Sequence, residues 1–426
     1  MNIASTNNPP APLRYLTSLA ERRVVTRYRK RQDAIRASAK PPFRLDYFHQ
    51  VDDPHSHLVA SAMSRINSTY PVDIHGHVVS PPDTMNAPEP SLLKKYALRD
   101  AEQIAPHYGL TLHKTDASAA DIDRCEVELS SIPQDQFLET AASFGTLVAP
   151  NPRTAATRPT SQATREGNAL RRRLGHFSSA TAFFEGNWYW GMDRLYLLET
   201  LLCELCGRPP STLLFPRPSE SGPVDASALT LEVFPSLRSP YTAIGFDRAM
   251  TLAKSTGVKL HIRPVLPMVM RGVPATMSKG RYILTDTARE ADAYGIPFGH
   301  LYDPIGAPVR RAYSIYPWAR SMHREIEFLS SFLVNVFSRG VNAATNHGLR
   351  QIVEYAGLPW NEATKHLGTN QWMVEIEENQ RVLVDELGLW GVPSFRLQDT
   401  EGHSFCTWGQ DRIWLVATEM KRFSSR

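Results

Sequence analysis

Residues 230–246 read TLEVFPSLRSPYTAIGF. Leu231, Val233 and Phe234 form a short, strand-like apolar run, the segment up to Pro240 breaks it, and a helix-like pattern follows. The start of a helix is a common place for chemistry, because its first N–H groups are free and its dipole favours negative charge. Ser239 before Pro240 fits a plain N-cap with proline in the first turn. The same hydroxyl can also be a catalytic group, and the junction alone does not separate the two readings.

An earlier stretch repeats this pattern. FRLDYFHQVDDPHSHLVA (43–60) resembles LTLEVFPSLRSPYTAIGF (229–246), pairing Asp46 with Glu232, Phe48 with Phe234 and Pro54 with Pro240 at an offset of 186. KYALRDAEQIAPHYGL (95–110) resembles RYILTDTAREADAYGI (281–296) at the same offset. WGMDRLYLLE (190–199) matches WGQDRIWLVA (408–417) at an offset of 218. Collinear matches of this kind read as a tandem duplication, with about 32 extra residues in the second copy.

Each copy reads as strand, helix, strand, a helical stretch, a hairpin and a final helix. In the second copy IRPVLP (262–267) fits the second strand, and EIEFLSSFLVNVFSRG (325–340), GLRQIVEYAGL and NQRVLVDELGLWG read as helices. PSFRLQDTEGHSFCTWG reads as a hairpin turning near Asp399–Gly402. The expected class is α/β. The expected organisation is a basic arm over 1–40, a first domain over 41–205, a Pro- and Ser-rich linker over 206–228 and a second domain over 229–426. The polar stretch 149–172 reads as a long surface loop.

Composition narrows the function. The chain has 426 residues, with 42% apolar and 21% charged, as in ordinary globular proteins. No apolar run approaches a membrane span, and the first ten residues have no signal-peptide pattern. Four cysteines do not make a disulfide framework, so a reducing cytoplasm is the expected location. Residues 12–40 carry nine Arg or Lys against Glu21 and Asp33, a local charge of +7 in a chain of +4. A basic helix can touch nucleic acid or an acidic membrane; it can also be a solvated helix packing Leu13, Leu16, Leu19 and Val24 on the body. A charge run alone favours the second, so no nucleic-acid partner is expected. His55 and His57 lack companions at ligand spacing, so no metal site is expected. Cys203-Glu-Leu-Cys206 follows the last helix of the first copy rather than opening a helix, so no redox role is expected there.

LRSPYTAIGF, MSKGRYILTDTAREADAYGIPF, LWGVPSF and WGQDRIWLV, in that order over roughly 230–420, resemble the 2-hydroxychromene-2-carboxylate isomerase family and its relatives, the kappa-class glutathione transferases. Both lie in the DsbA-like thioredoxin-fold superfamily. The resemblance implies two tandem DsbA-like thioredoxin-fold domains, each with an inserted helical subdomain, and glutathione as cofactor. It implies that the Ser239 hydroxyl favours a bound thiolate, that Pro393 is a cis-proline presenting Val392 to glutathione, and that Gln410, Asp411 and Lys279 bind glutathione. Tyr241, Arg271 and Trp390 are expected near the pocket; Arg271 stands in VMRGVPATMSK, where these families place an asparagine motif. Trp408 and Phe395 fit either a pocket wall or the core. In the first copy Asp53 replaces Ser239, Leu93 replaces Lys279 and Ala180 replaces Pro393, which implies a degenerate domain. The implied activity is a glutathione-dependent isomerase or transferase acting on an aromatic or unsaturated small molecule. The alternative is a non-catalytic binding or scaffold protein. The family's dimers imply either a homodimer or an intrachain pseudo-dimer.

Overall fold

The computed structural model describes residues 11–112, 114–116, 118–144, 146–148, 161–223, 225–273 and 275–425. The chain forms two compact units. The N-terminal unit takes residues 30–218 and 276–282; the C-terminal unit takes the segment up to Arg29, 219–275 and the chain from Ile283 onward.

The first helix, α1 (Ala11–Ser38), is divided between the units after Arg29. In the N-terminal unit, β1 (Phe43–His49), α2 (Pro54–Thr69) and β2 (Val72–Val78) form a strand–helix–strand unit with parallel β1 and β2. Next come α3 (Pro90–Ile104), β3 (Lys114–Asp116), α4 (Ala119–Ser131), α5 (Gln134–Ser143), β4 (Thr146–Val148) and α6 (Gln162–Leu174). The unit closes with the hairpin β5 (Thr181–Phe184) and β6 (Asn187–Trp190) and with α7 (Leu195–Cys206). Its main sheet has the order β2-β1-β5-β6, with β5 antiparallel to both neighbours.

The C-terminal unit repeats this plan. It has β7 (Thr230–Phe234), α8 (Pro240–Thr256), β8 (Lys259–Ile262) and α9 (Met277–Tyr294), of which residues 276–282 pack with the N-terminal unit. A helical block follows: α10 (Ala307–Ser321), α11 (Glu325–Phe337), α12 (Asn346–Tyr355), α13 (Trp360–Ala363) and α14 (Trp372–Arg381). The hairpin β9 (Ser394–Gln398) and β10 (Ser404–Trp408) precedes α15 (Ile413–Ser424). The sheet order is β8-β7-β9-β10, again with one parallel and two antiparallel pairings. Each unit carries an acid in its first strand, buried in the C-terminal unit (Glu232) and half-buried in the N-terminal one (Asp46). Glu232 meets Arg263, Arg396 and His261; burial pushes its pKa up, but these partners overcome that and hold it near about 2. Asp46 meets His77 at 2.8 Å and Arg44 at 3.5 Å, and its pKa is likewise lowered against burial.

Several sequence expectations change. The second strand of the C-terminal unit ends at Ile262, so IRPVLP is mostly an extended segment after it. The expected loop over 149–172 is helical from Gln162, with Ser161 capping the Thr164 N–H at 3.0 Å and Gly175 closing α6 at φ 94°; residues 149–160 lie outside the described residues. The expected linker is not loose at its start. Glu199 accepts the N–H groups of Leu214 and Phe215, each at 2.8 Å, and Phe215 is fully buried. On α1 the buried apolar residues are Val25 and Ile35, while Leu16 is exposed. Its basic residues serve contacts inside each unit: Arg22 and Arg29 meet Leu301 and Asp292, and Arg31 and Arg36 meet Glu185 and Glu204.

Candidate functional site

Ser239 caps α8 in extended conformation. Its Oγ accepts the Thr242 N–H at 3.1 Å and donates to the Val392 carbonyl at 3.3 Å. Cap and catalytic hydroxyl are therefore not exclusive readings: one oxygen holds the helix start and faces the loop before β9. The Val392–Pro393 peptide is cis. Pro393 accepts the Gly409 N–H at 2.9 Å, which ties that loop to the start of α15. Gly245 lets α8 come close: a Cβ there would lie 2.8 Å from Gln410 and 3.6 Å from Pro393.

Arg271 ends the 3-10 turn Met268–Arg271, and its Nη2 donates to the Trp390 carbonyl at 2.7 Å. Its Nε is buried with no partner. Among the described residues no carboxylate pairs with it, and burial lowers its pKa to about 10 against the nearby Tyr313. The guanidinium therefore stays charged at neutral pH. Tyr313 is fully buried, donates to the Val265 carbonyl at 2.8 Å, and is held protonated by burial. Trp390 packs on Trp408 at 4.8 Å between centroids. Gly391 makes room for this, since a Cβ there would collide with the Trp408 ring. Trp390 and Phe395 are both buried.

The other expected site residues take varied places. The Tyr241 hydroxyl donates to buried Asp286 at 2.8 Å, and Arg289 grips the same carboxylate at 2.7 Å. Tyr241 is thus anchored to α9. Gln410 was expected to bind glutathione, but its side chain is buried and both ends are used. Arg248 donates to Oε1 at 2.5 Å, and Nε2 donates to Glu290 at 2.9 Å. Asp411 lies in the 3-10 turn Gln410–Arg412 before α15 and is partly exposed. Lys279 was expected beside the same ligand, but it packs in the N-terminal unit, where Nζ donates to the Asn86 carbonyl at 2.9 Å. Burial lowers its pKa. The structure thus brings together Ser239, Val392, Pro393, Arg271 and Trp390, places Gln410 beside Pro393 with its amide spent on Arg248 and Glu290, and assigns Lys279 to the N-terminal unit.

The sequence reading missed a charged group beside Ser239. Arg238 forms a bidentate pair with buried Asp303, at 2.7 and 2.8 Å. Glu21 on α1 joins it. Burial and the Asp303 charge push the Glu21 pKa up to about 8, against the pull of Arg238. Ser18 and Arg22 dock the same helix face, at 2.9 Å on Asp303 N–H and 2.6 Å on Leu301 carbonyl. Only the position of Arg238 next to Ser239 could have drawn attention to this group.

The N-terminal unit has a matching junction. Asp53 caps α2 and accepts from His55 N–H, Ser56 N–H, Ser56 Oγ and Ser179 Oγ. Ala180, in the place of Pro393, has φ 53°. His55 meets buried Asp100 at 3.3 Å, as Tyr241 meets Asp286. His57 turns instead to the carbonyls of Ala141 and Val51. Cys203 is buried beside Tyr70, and all four cysteines are free. Three side chains at the β9–β10 turn, Asp399, Glu401 and His403, lie close enough to share a cation. The first of them is already the acceptor for the Glu401 and His403 N–H groups.

Comparison with known proteins assigns one segment: residues 230–421 match the family model of the DSBA-like thioredoxin domain. No curated protein sequence matches the chain. Among solved structures, a 2-hydroxychromene-2-carboxylate isomerase is 19% identical, covering 46% of this chain and 96% of its own, with a TM-score of 0.39. The cytosolic disulfide reductase DsbM from Pseudomonas aeruginosa is 16% identical, covering 46% and 97%, with a TM-score of 0.36. The same reductase with GSH aligns at 15% identity, covering 46% and 97%, with a TM-score of 0.33. No described helix is long and apolar enough to cross a membrane.

Proposed function

We propose that the C-terminal domain is a glutathione-dependent isomerase or transferase acting on an aromatic or unsaturated small molecule. One observation carries this reading: the Ser239 hydroxyl stands at the N-terminus of α8, 3.3 Å from the carbonyl of the cis-Val392–Pro393 peptide. A thiolate placed there gains from a hydroxyl donor and from the helix start, both of which lower a thiol's pKa. In the proposed reaction the thiolate adds to the β-carbon of an electrophilic double bond, and the π electrons move to the activating carbonyl oxygen. Rotation follows about the new single bond. The electrons then return, re-form the double bond and expel the thiolate. Asp411, partly exposed before α15, would receive the γ-glutamyl ammonium.

We also infer that the two units are tandem copies of one DsbA-like thioredoxin-fold domain, the first non-catalytic. The matching strand orders and helix starts support this. A second reading, a binding protein without catalysis, draws on the burial of Gln410 and the bond from Lys279 to Asn86. Calorimetry with glutathione on the wild type, Ser239→Ala and Asp411→Ala separates the two. The catalytic reading expects binding that weakens in both variants. No heat at millimolar glutathione with the wild type removes glutathione from the account.

A further inference from the structure

Helix α1 brings a second carboxyl to an ion pair that is already balanced. Asp303 is buried and accepts from Arg238 on both oxygens, at 2.7 and 2.8 Å, and from the Ile305 N–H at 3.1 Å. Glu21 joins this pair, and its Oε2 is buried with no hydrogen-bond donor among the described residues. A carboxylate oxygen in that position is costly to keep charged. Two other groups act on it. Asp303, two residues after Leu301, opposes its ionisation, and Arg238, in the turn before α8, favours it. On α1 itself Arg22 donates to the Leu301 carbonyl, with His300 on the same side beside Gly340, and Arg29 is paired with Asp292. Arg14, two turns before Glu21, is buried as well. Two acids thus face one guanidinium, and burial with the Asp303 charge pushes the Glu21 pKa up to about 8. Apolar contact adds little to the docking. Among the described residues of 11–29 the one fully buried apolar side chain is Val25.

We propose that α1 is a proton-operated clamp on the turn that presents Ser239: while Glu21 is neutral the helix stays docked and shields the Arg238–Asp303 pair, and when its proton passes to solvent the helix and the turn loosen together. Arg238 precedes Ser239 in the chain, so a guanidinium held on two donors fixes the residue before the cap of α8. Ser18 ties α1 to the other side of the pair through the Asp303 N–H, at 2.9 Å. Without the helix the pair meets water, where an ion pair holds weakly. The released stretch frays, because a short free helix is marginal in water. The folded pKa lies above the ordinary 4.5, so docking is strongest below pH 4.5, weakens as pH climbs and levels off above about 8. The clamp regulates the site proposed above and rests on that reading for its effect on catalysis, but not for its mechanics.

The test is hydrogen exchange by mass spectrometry on the full chain between about pH 5 and pH 8, with rates corrected for the intrinsic effect of pH. Wild type, Glu21→Gln and Arg22→Ala are compared, each first checked by thermal unfolding. In the wild type, protection of residues 11–29 should fall roughly tenfold or more across this range. The Thr242 and Ala243 N–H groups, which bond Ser239, should lose protection in step. Glu21→Gln should hold both regions level, and Arg22→Ala should lower both at every pH. Constant protection of α1 in the wild type overturns the proposal. So does an undiminished fall in a folded Glu21→Gln. A helix that loosens over a turn that keeps its protection overturns it too, because the helix then clamps nothing. If Glu21→Gln does not fold, Arg22→Ala decides: loss in both regions supports the clamp, and loss confined to α1 overturns it. Exchange needs no ligand. If calorimetry finds no glutathione binding, the proposed reaction fails and the exchange result still decides the clamp.

Discussion

Two helix starts in this chain share a strand before them and a proline after the cap, and they differ in what the cap carries. At α8 the cap is a neutral hydroxyl that accepts one N–H and donates to the carbonyl of Val392. At α2 it is the Asp53 carboxylate, which gathers four donors, including Ser179 Oγ from the segment opposite. Each helix start favours negative charge. The N-terminal unit supplies that charge from its own chain and thereby closes the position. The cap of α8 in the C-terminal unit brings no charge of its own. At α2 the residue that caps the helix is also the one that brings the negative charge.

The largest expected effect concerns the acids that anchor the two sheets. Glu232→Ala leaves Arg263 and Arg396 without their shared carboxylate and should cost about 3–5 kcal/mol, read by urea unfolding. Asp46→Ala, facing a histidine and an exposed arginine, should cost roughly 1 kcal/mol. Equal costs would mean that the two sheets are anchored alike. The Glu232 pKa is depressed, so its contribution is full above the unfolded value of 4.5 and is lost as pH falls toward about 2.

Next comes the hydroxyl itself. Ser239→Ala should lower turnover of an electrophilic substrate with glutathione about a hundredfold, as loss of one positioned donor does elsewhere. It should also cost roughly 1 kcal/mol of stability through the lost cap. Asp53→Ala should leave turnover unchanged while costing about 2 kcal/mol, since four donors lose their acceptor. If Asp53→Ala instead abolished turnover, the N-terminal unit could not be regarded as non-catalytic. Asp53→Ser sharpens the contrast. It should keep a cap and gain no glutathione binding, because Ala180 stands where a cis-proline would be.

A smaller effect belongs to Glu21. Its folded pKa is raised to about 8, so the stability it gives is full below pH 4.5 and is lost as pH rises through 8. Glu21→Gln should flatten that decline in melting temperature. An unchanged slope between pH 5 and 9 would mean that the carboxyl is not held in its neutral form.

The sequence showed the helix starts, the hairpins and the succession of elements along each unit, because local signals carry them, whereas the order of strands within each sheet came only from the structure. Ser239-Pro240 and Asp53-Pro54 announce helices, and Gly402 with Asp399 announces a turn. Helix α6 went unread because its many arginines and Gly167 obscured the apolar stripe, although Ser161 and Gly175 bracket it. The fates of Lys279 and Gln410 were not legible at all. Their partners, Asn86 on one side and Arg248 and Glu290 on the other, lie more than 100 residues away in sequence. A motif predicts that a side chain is present, and only the fold decides where its polar end is spent.

The division of α1 has a consequence for biosynthesis. Ser18 and the Asp303 N–H it accepts are 285 residues apart, so the helix waits for a segment made long after it. Until residues 301–303 emerge, Ser18 and Arg22 lack the backbone groups they bond. A contact of such long range is slow to form and sets a late step in folding. The same arrangement warns against dissection. A fragment starting at residue 219 contains every strand of the second sheet, yet it lacks the helix face that flanks Arg238 and Asp303.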